Sequence, residues 1–394
     1  MATVCLYFQV HQPFRVRKGS YFDAGRGLPL FDEPLDRLVM ERAAERCYLP
    51  ANGILAREAL RLEGRLKLAF SITGTAIEQM KLYAPAALES FQALVSGGCV
   101  ELLGETYYHS LASLYSEEEF RQQVAQHTAL MLQEFGVRPA VMRNTELLYS
   151  DEIGELAHSC GFRAVLAEGS DATLGWRSPN AAYRCARSPL PLLLKNYRLS
   201  DDIAFRFSSA DGDGKALTAA SFAQRLQALP ADTEAVGIFV DYETFGEHLG
   251  EGTAIASFLE ELPSVVCSMP SWGFSTPSGL AERAVRREAL SVPSVTSWAD
   301  LSRDASAWTG NGMQQAALSR IYEMAGAVLA TGDPGLIAAW RKLQSSDHFY
   351  YMSTKEGGDG VVHRHFSPFE SPYEAFIAYM NVVRDLAARA GIDA

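Results

Sequence analysis

Seven apolar, β-branched-rich runs punctuate the first two-thirds of the chain. They are 2–10 (ATVCLYFQV), 66–72 (LKLAFSI), 99–104 (CVELLG), 140–145 (AVMRNT), 163–168 (RAVLAE), 191–196 (PLLLKN) and 235–241 (AVGIFVD). Most are continuous, without clean alternation of apolar and polar positions. Strands with both faces buried in a parallel sheet read this way. Helical periodicity fills many of the gaps, over 75–95, 116–135 and 150–160. Ser116 with Glu119 three residues on forms a capping-box pattern, and Gly136 follows the last turn as a stop. Ser150 stands in cap position, with Asp151 and Glu152 at the positive end of its helix. About seven strand–helix repeats predict an α/β fold with a parallel sheet, closed or nearly closed into a barrel; an open doubly wound sheet is the competitor. After about residue 275 the pattern turns helical, over 277–288, 311–331, 333–345 and 370–391. The expected division is a barrel over 1–275 and a helical region over 276–394 that completes the cleft.

Composition narrows the class. The 394 residues are 48% apolar and 21% charged, a globular balance with ample core material. The net charge of −12, with no basic block, argues against a nucleic-acid partner. No apolar run approaches 18 residues, so no membrane span is expected. The first residues read as a strand and not as a signal peptide, and the expected location is cytoplasmic. Six cysteines are scattered without a C-x-x-C pair, which speaks against a cysteine zinc site or a disulfide scaffold.

Several strands end in residues that a buried strand should not carry. The first runs into Gln9-Val10-His11-Gln12-Pro13, and the third holds Glu101. The fourth runs into Arg143-Asn144-Thr145-Glu146, and the last into Asp241-Tyr242-Glu243. Desolvating a charge costs several kcal/mol, so such residues are paired or functional. In α/β barrels the C-terminal strand ends form the active-site face. Converging carboxylates without a reactive thiol suit glycosidic bond cleavage, in which one carboxylate attacks and a second acts as general acid, then base. Arg143 and Asn144 beside Glu146 suit an ionised nucleophile. Asp241 near Glu243 suits a raised pKa.

These motifs resemble glycoside hydrolase family 57, whose members act on α-glucans and share an incomplete (β/α)7 barrel. The likeness is carried by five segments: His11-Gln12-Pro13, Gly98–Glu101, Arg143–Leu147, Phe239–His248 and Ser346–Tyr351. The resemblance implies Glu146 as nucleophile and Asp241 as general acid/base. It implies that His11, Glu101, Glu243 and Asp347 line the donor sugar subsite, with Gln12 beside them, and that no cofactor or metal takes part. The chain departs from many members in having Asn144 two residues before the nucleophile, where they carry Trp. Its length leaves no room for a C-terminal β-sandwich. The implied activity is retaining hydrolysis of α-1,4-glucosidic bonds in maltooligosaccharides, starch or glycogen. A 4-α-glucanotransferase or branching enzyme with the same nucleophile is the alternative.

Trp298 and Trp308, in a polar loop, are candidate sugar platforms, with core packing as the competing reading. Arg206 is a candidate partner for a catalytic carboxylate, against a helix-start salt bridge. Tyr107, Tyr108 and His109 follow the Glu101 strand and are further candidates for the cleft lining. A metal-dependent polysaccharide deacetylase would need an H-x-x-x-H ligand pair, which does not occur. A non-catalytic glucan-binding protein is the remaining alternative.

Overall fold

The computed structural model describes residues 2–209, 215–250, 252–283 and 288–392. Ten strands form one sheet: β1 (Ala2–Val10), β2 (Leu68–Ile72), β3 (Val100–Leu102), β4 (Val141–Arg143), β5 (Ala164–Glu168), β6 (Tyr183–Cys185), β7 (Pro191–Lys195), β8 (Ala235–Asp241), β9 (Trp272–Phe274) and β10 (Ala289–Leu290). All seven predicted strands are present. β1, β2, β3, β4, β5, β7 and β8 form a parallel (β/α)7 barrel. Its ring closes at two thin seams. β3 meets β4 through a single bridge, Gly104 to Met142. β7 meets β8 at one register pair, Lys195 to Gly237. There the Ser200 hydroxyl, on the helix after β7, donates to the Asn196 carbonyl at 2.8 Å and accepts from the Phe239 amide of β8 at 3.2 Å. Gly237 is required by that approach, since a Cβ would lie 2.2 Å from the Leu194 carbonyl oxygen.

Alternation along each strand sorts the side chains. Val4, Leu6, Phe8 and Val10 of β1 face the surrounding helices, while Cys5 and Tyr7 fill the barrel with Ala69, Leu103, Val141, Leu166, Leu193 and Phe239. Extending the inward rows toward the C-terminal rim brings up Gln9, Ser71, Glu105, Arg143, Glu168, Lys195 and Asp241. Each barrel strand, or the loop just beyond it, thus delivers one polar residue above an apolar plug.

The expected helix over 75–95 is two helices, Gly74–Tyr83 and Pro85–Ser96. Pro85 cannot continue a helix but fits at the start of the next. The 116–135 helix is present, with the Ser116 hydroxyl accepting from the Glu119 amide and Gly136 left-handed at φ 68°. Its capping box is half made, because the Glu119 carboxylate turns to Arg341 and Gln123.

The change of character at 275 does not end the barrel. Helix Pro277–Arg283 lies under the barrel, with Leu280 in the interior plug, and β10 pairs with β6. Residues 284–287 of the expected 277–288 helix lie outside the described residues. From about 305 onward the helices pack around their own core of Trp308, Trp340, Leu343, Phe349 and Tyr379. Arg341 pairs with Glu119 at 2.8 Å, and the Ser346 amide donates to the His109 carbonyl at 2.8 Å, docking this region on the barrel rim. Among the described residues every strand belongs to the one sheet, and no helix is long and apolar enough to cross a membrane.

Candidate active site

Glu146 follows β4 by three residues, in a single 3-10 turn (Thr145–Leu147). Asn144 holds this turn: its amide donates to the Leu148 carbonyl and the Ser113 hydroxyl, both at 2.9 Å. Glu146 itself is left-handed, at φ 56° and ψ 24°. A non-glycine residue there costs about 1–3 kcal/mol and persists only where its surroundings fix it. The surroundings do so at both ends of the residue. The Trp298 amide donates to the Glu146 carbonyl at 3.2 Å, and Trp298 Nε1 donates to Oε2 at 2.7 Å. The Ser346 hydroxyl donates to Oε1 at 3.0 Å, and His109 Nε2 lies 3.2 Å from the same oxygen.

His109 Nδ1 in turn lies 3.2 Å from Glu105 Oε2. Both ring nitrogens face carboxylates, so both donate and the ring is cationic. Burial pulls its pKa down, but the two carboxylates prevail and raise it to about 9. Burial also works against ionising Glu146. The hydrogen bond and charge of His109, the Arg143 guanidinium and the Trp298 donor outweigh it and hold the carboxyl below its ordinary range.

Asp241 closes β8 opposite Gln9 of β1. Among the described residues its carboxyl accepts no hydrogen bond. Burial and then the charge of Glu146 push its pKa up to about 6, against the pull of Arg143, Lys195 and His109. Two residues on, Glu243 accepts from the Tyr48 hydroxyl at 2.5 Å and the His11 amide at 3.3 Å. A π-turn over Ala44–Tyr48 lets Tyr48 reach it. Burial and Asp241 raise Glu243 to about 8.

His11 Nε2 lies 2.8 Å from Asp347 Oδ2, and Nδ1 lies 2.9 Å from the Thr73 hydroxyl. Burial, and the cationic His109 ring stacked at 4.0 Å, lower its pKa. A neutral ring that donates from Nε2 and accepts at Nδ1 satisfies both contacts. Asp347 also accepts from the Ser345 hydroxyl at 2.7 Å. Burial opposes its ionisation, yet His11, the His109 charge and Ser345 hold it well below the carboxylate range.

These groups share one cavity of about 450 Å³, lined by His11, Gln12, Glu146, Asp241, Glu243, Trp298 and Asp347 among others. Gln12 is present, but its side-chain oxygen accepts from Arg15 at 2.9 Å. Three expectations need correction. Glu101 does not reach the cleft. It points inward four residues below Glu105 and accepts from the Ser278 amide at 2.9 Å and the Ser278 hydroxyl, at the barrel bottom. Trp308 is fully buried in the helical core and is no sugar platform. Arg206 sits at the cavity mouth but is spent on Asp202 at 2.9 Å and the Arg198 carbonyl, touching neither catalytic candidate. Glu105, Ser346 and Lys195 were not foreseen. The signal for Glu105 was its place just beyond a strand, in the same Glu101–His109 stretch.

A parallel barrel that presents one ionised and one proton-holding carboxyl to a single cleft is built to cleave glycosidic bonds, and this protein is a glycoside hydrolase. The chain belongs to glycosyl hydrolase family 57, whose model matches residues 5–293. A Methanocaldococcus jannaschii protein named "Putative alpha-amylase" is 37% identical over 391 residues, covering 96% of this chain and 82% of that one. Among solved structures, the fold is similar to a GH57-type branching enzyme from Pyrococcus horikoshii, with TM-score 0.69, 14% identity and 99% and 95% of the two chains covered. It is also similar to the α-amylase AmyC of Thermotoga maritima, with TM-score 0.62, 12% identity, and 99% and 97% covered. The 4-α-glucanotransferase of Thermococcus litoralis aligns at TM-score 0.66 and 15% identity, covering 88% of this chain and 56% of that enzyme.

Proposed function

We propose that the protein is a retaining enzyme acting on α-1,4-linked glucans, with Glu146 as nucleophile and Asp241 as general acid/base. The observation that carries this reading is two carboxyls in one cleft with unlike surroundings: Glu146 accepts from Trp298 and Ser346 and faces His109, which favour its charged form, while Asp241 accepts no hydrogen bond among the described residues. Ionised Glu146 forms a bond to the anomeric carbon as the glycosidic bond breaks, and Asp241 gives its proton to the departing oxygen. Asp241 then takes a proton from water, whose oxygen bonds to the same carbon while Glu146 leaves as carboxylate. His11, Glu243 and Asp347 hold sugar hydroxyls and align the bond, a positioning effect. The relative named for an alpha-amylase supports an α-glucan as substrate.

The test is Asp241→Asn with azide and an activated α-maltooligosaccharide aryl glycoside. An α-glycosyl azide is expected, because the intermediate is β-linked to Glu146 and azide, replacing the activated water, attacks it from the opposite face. A β-configured product, the result of a single direct displacement, would rule out a covalent intermediate on Glu146. Glu146→Gln should bind oligosaccharide and turn over at roughly 10⁻⁴ of the parent rate or less.

Transfer to a second sugar is the competing reading, and one observation favours it. Phe205, Leu301 and Phe366 expose apolar surface at the cavity mouth, at 63%, 87% and 38%. Such surfaces suit the apolar face of an acceptor ring. Product analysis on maltoheptaose with and without added glucose separates the two: a ladder of longer products indicates transfer, and shorter products alone indicate hydrolysis.

Two other readings lose support. A deacetylase needs a metal site, and among the described residues no group of three or more His, Cys, Asp or Glu side chains could hold an ion. A non-catalytic glucan binder would have no use for the unlike carboxyl pair.

A further inference from the structure

Arg143 is the last residue of β4, and its side chain is fully buried. None of its three guanidinium nitrogens has a hydrogen-bond partner, and among the described residues no carboxylate forms an ion pair with it. A buried cation is expensive to keep, and losing a partner for it usually costs several kcal/mol. What stands against it is a ring. The guanidinium carbon lies 4.6 Å from the centroid of the Trp298 ring, and Lys195 Nζ lies 5.1 Å from the same centroid. Cations at this distance are drawn to the negative face of an indole.

The rest of Trp298 is fixed as firmly. Arg303 donates to the Trp298 carbonyl at 2.8 Å and pairs with Glu168 at 3.2 Å and Asp201 at 2.6 Å. Lys195 lies 3.7 Å from the same Glu168 and 3.5 Å from the same Asp201. The one polar atom of the indole, Nε1, is spent on Glu146 Oε2 at 2.7 Å.

We infer that Arg143 and Lys195 act on Glu146 through the Trp298 indole: the two cations polarise the ring, strengthen its Nε1–H as a donor, and so fix the direction and charge of the carboxylate. This rests on the reading of Glu146 as nucleophile. Arg143, Lys195 and Trp298 are positioning residues in this scheme. Their effect falls on the second step, in which the bond between the anomeric carbon and Glu146 breaks, its electron pair returns to the carboxylate and the water proton passes to Asp241. A polarised N–H receives that returning charge. Arg143 also lowers the pKa of Glu146 and of Asp241 by its charge, which agrees with a cation kept for its field.

The test compares Trp298→Phe, which keeps a ring over the cations and removes the N–H, with Arg143→Met, which keeps the bulk and removes the charge. The substrate is 2-chloro-4-nitrophenyl α-maltotrioside. For each variant kcat should fall roughly 10- to 100-fold, the loss of a hydrogen bond to a charged group. The acid limb of the kcat/KM profile should move up by about one pH unit. A burst of released phenol should precede the slowed steady state. A fall in kcat with the acid limb unmoved and no burst would overturn the inference, since a merely structural role would act that way.

Should a variant fail to fold, the ¹⁵N–¹H indole resonance of Trp298 in the unaltered full-length chain still decides. It should lie downfield and titrate with Glu146, and in Glu146→Gln it should shift upfield and lose that titration. An indole resonance blind to pH and to Glu146→Gln would overturn the relay. Full turnover in Glu146→Gln would instead overturn the nucleophile assignment, a result the resonance does not depend on.

Discussion

Glu146 and Asp241 leave the ordinary carboxylate range in opposite directions, and the sign of each shift sets the pH dependence of turnover. On the proposed roles, with Asp241 as acid and Glu146 as nucleophile, the acid must hold its proton, so kcat/KM should fall as pH rises through about 6, the value to which burial and Glu146 push Asp241. The nucleophile must be ionised, so activity should persist downward until pH drops below the ordinary glutamate value, because Glu146 is lowered. A bell centred on the acid side of neutrality is expected, and a kcat/KM profile flat from pH 5 to 9 would contradict it. The same shift bears on stability. A raised folded-state pKa contributes stability that is full below the unfolded value of 3.8 and is lost as pH rises through about 6. Asp241→Asn should therefore stabilise the fold by about 1–3 kcal/mol at pH 8 and hardly at all at pH 4, as read by urea denaturation. At this scale the sequence shows that Glu146 lies just beyond one strand and Asp241 closes another. It does not show height within the barrel. Period-two alternation tells which way Glu101 points, but an inward acid at the foot of a strand reads like one at its head. In the sequence Trp298 and Trp308 share one polar stretch, and only tertiary packing separates a residue bonded to Glu146 from one in the helical core.

The secondary elements were legible wherever burial is two-sided. Most of the seven barrel strands announce themselves as continuous apolar runs because helices cover one face and the barrel plug the other. β6, β9 and β10 escaped notice because, unlike the equally short β3 and β4, their two or three residues sit outside a longer apolar run. The split of the 75–95 segment was written in Pro85, whose ring and missing N–H end one helix and open the next. One element-scale prediction concerns the β7–β8 seam. Gly237→Ala places a methyl 2.2 Å from the Leu194 carbonyl oxygen at the only register pair joining these strands. The strands must part or shift, and a loss of about 2–4 kcal/mol is expected in chemical denaturation. An alanine variant as stable as the parent would show that the seam has slack to spare.

Across the whole molecule, the helical region both closes the cleft and is held there by buried charge. Arg341 and Glu119, at 2.8 Å, are the deepest ion pair between this region and the helix Glu117–Phe135. Arg341→Ala should cost about 3–5 kcal/mol by leaving Glu119 charged and unpaired, and a second change, Glu119→Leu, should recover part of it. KM for maltooligosaccharides should rise in the single variant, because Ser346 and Asp347 ride on the segment that Arg341 anchors. The two seams of the ring have a mechanical meaning of their own. Cutting the barrel at Gly104–Met142 and at Lys195–Gly237 leaves two shells, β8-β1-β2-β3 and β4-β5-β7. One shell carries Asp241, Glu243 and His11, and the other carries Glu146. The cleft lies between the tips of the two shells, as between the jaws of a pair of tongs. The gap between Asp241 and Glu146 then spans both joints, and the Gly104 and Asn196 amides, which bond across them, should exchange with deuterium ahead of the other barrel amides.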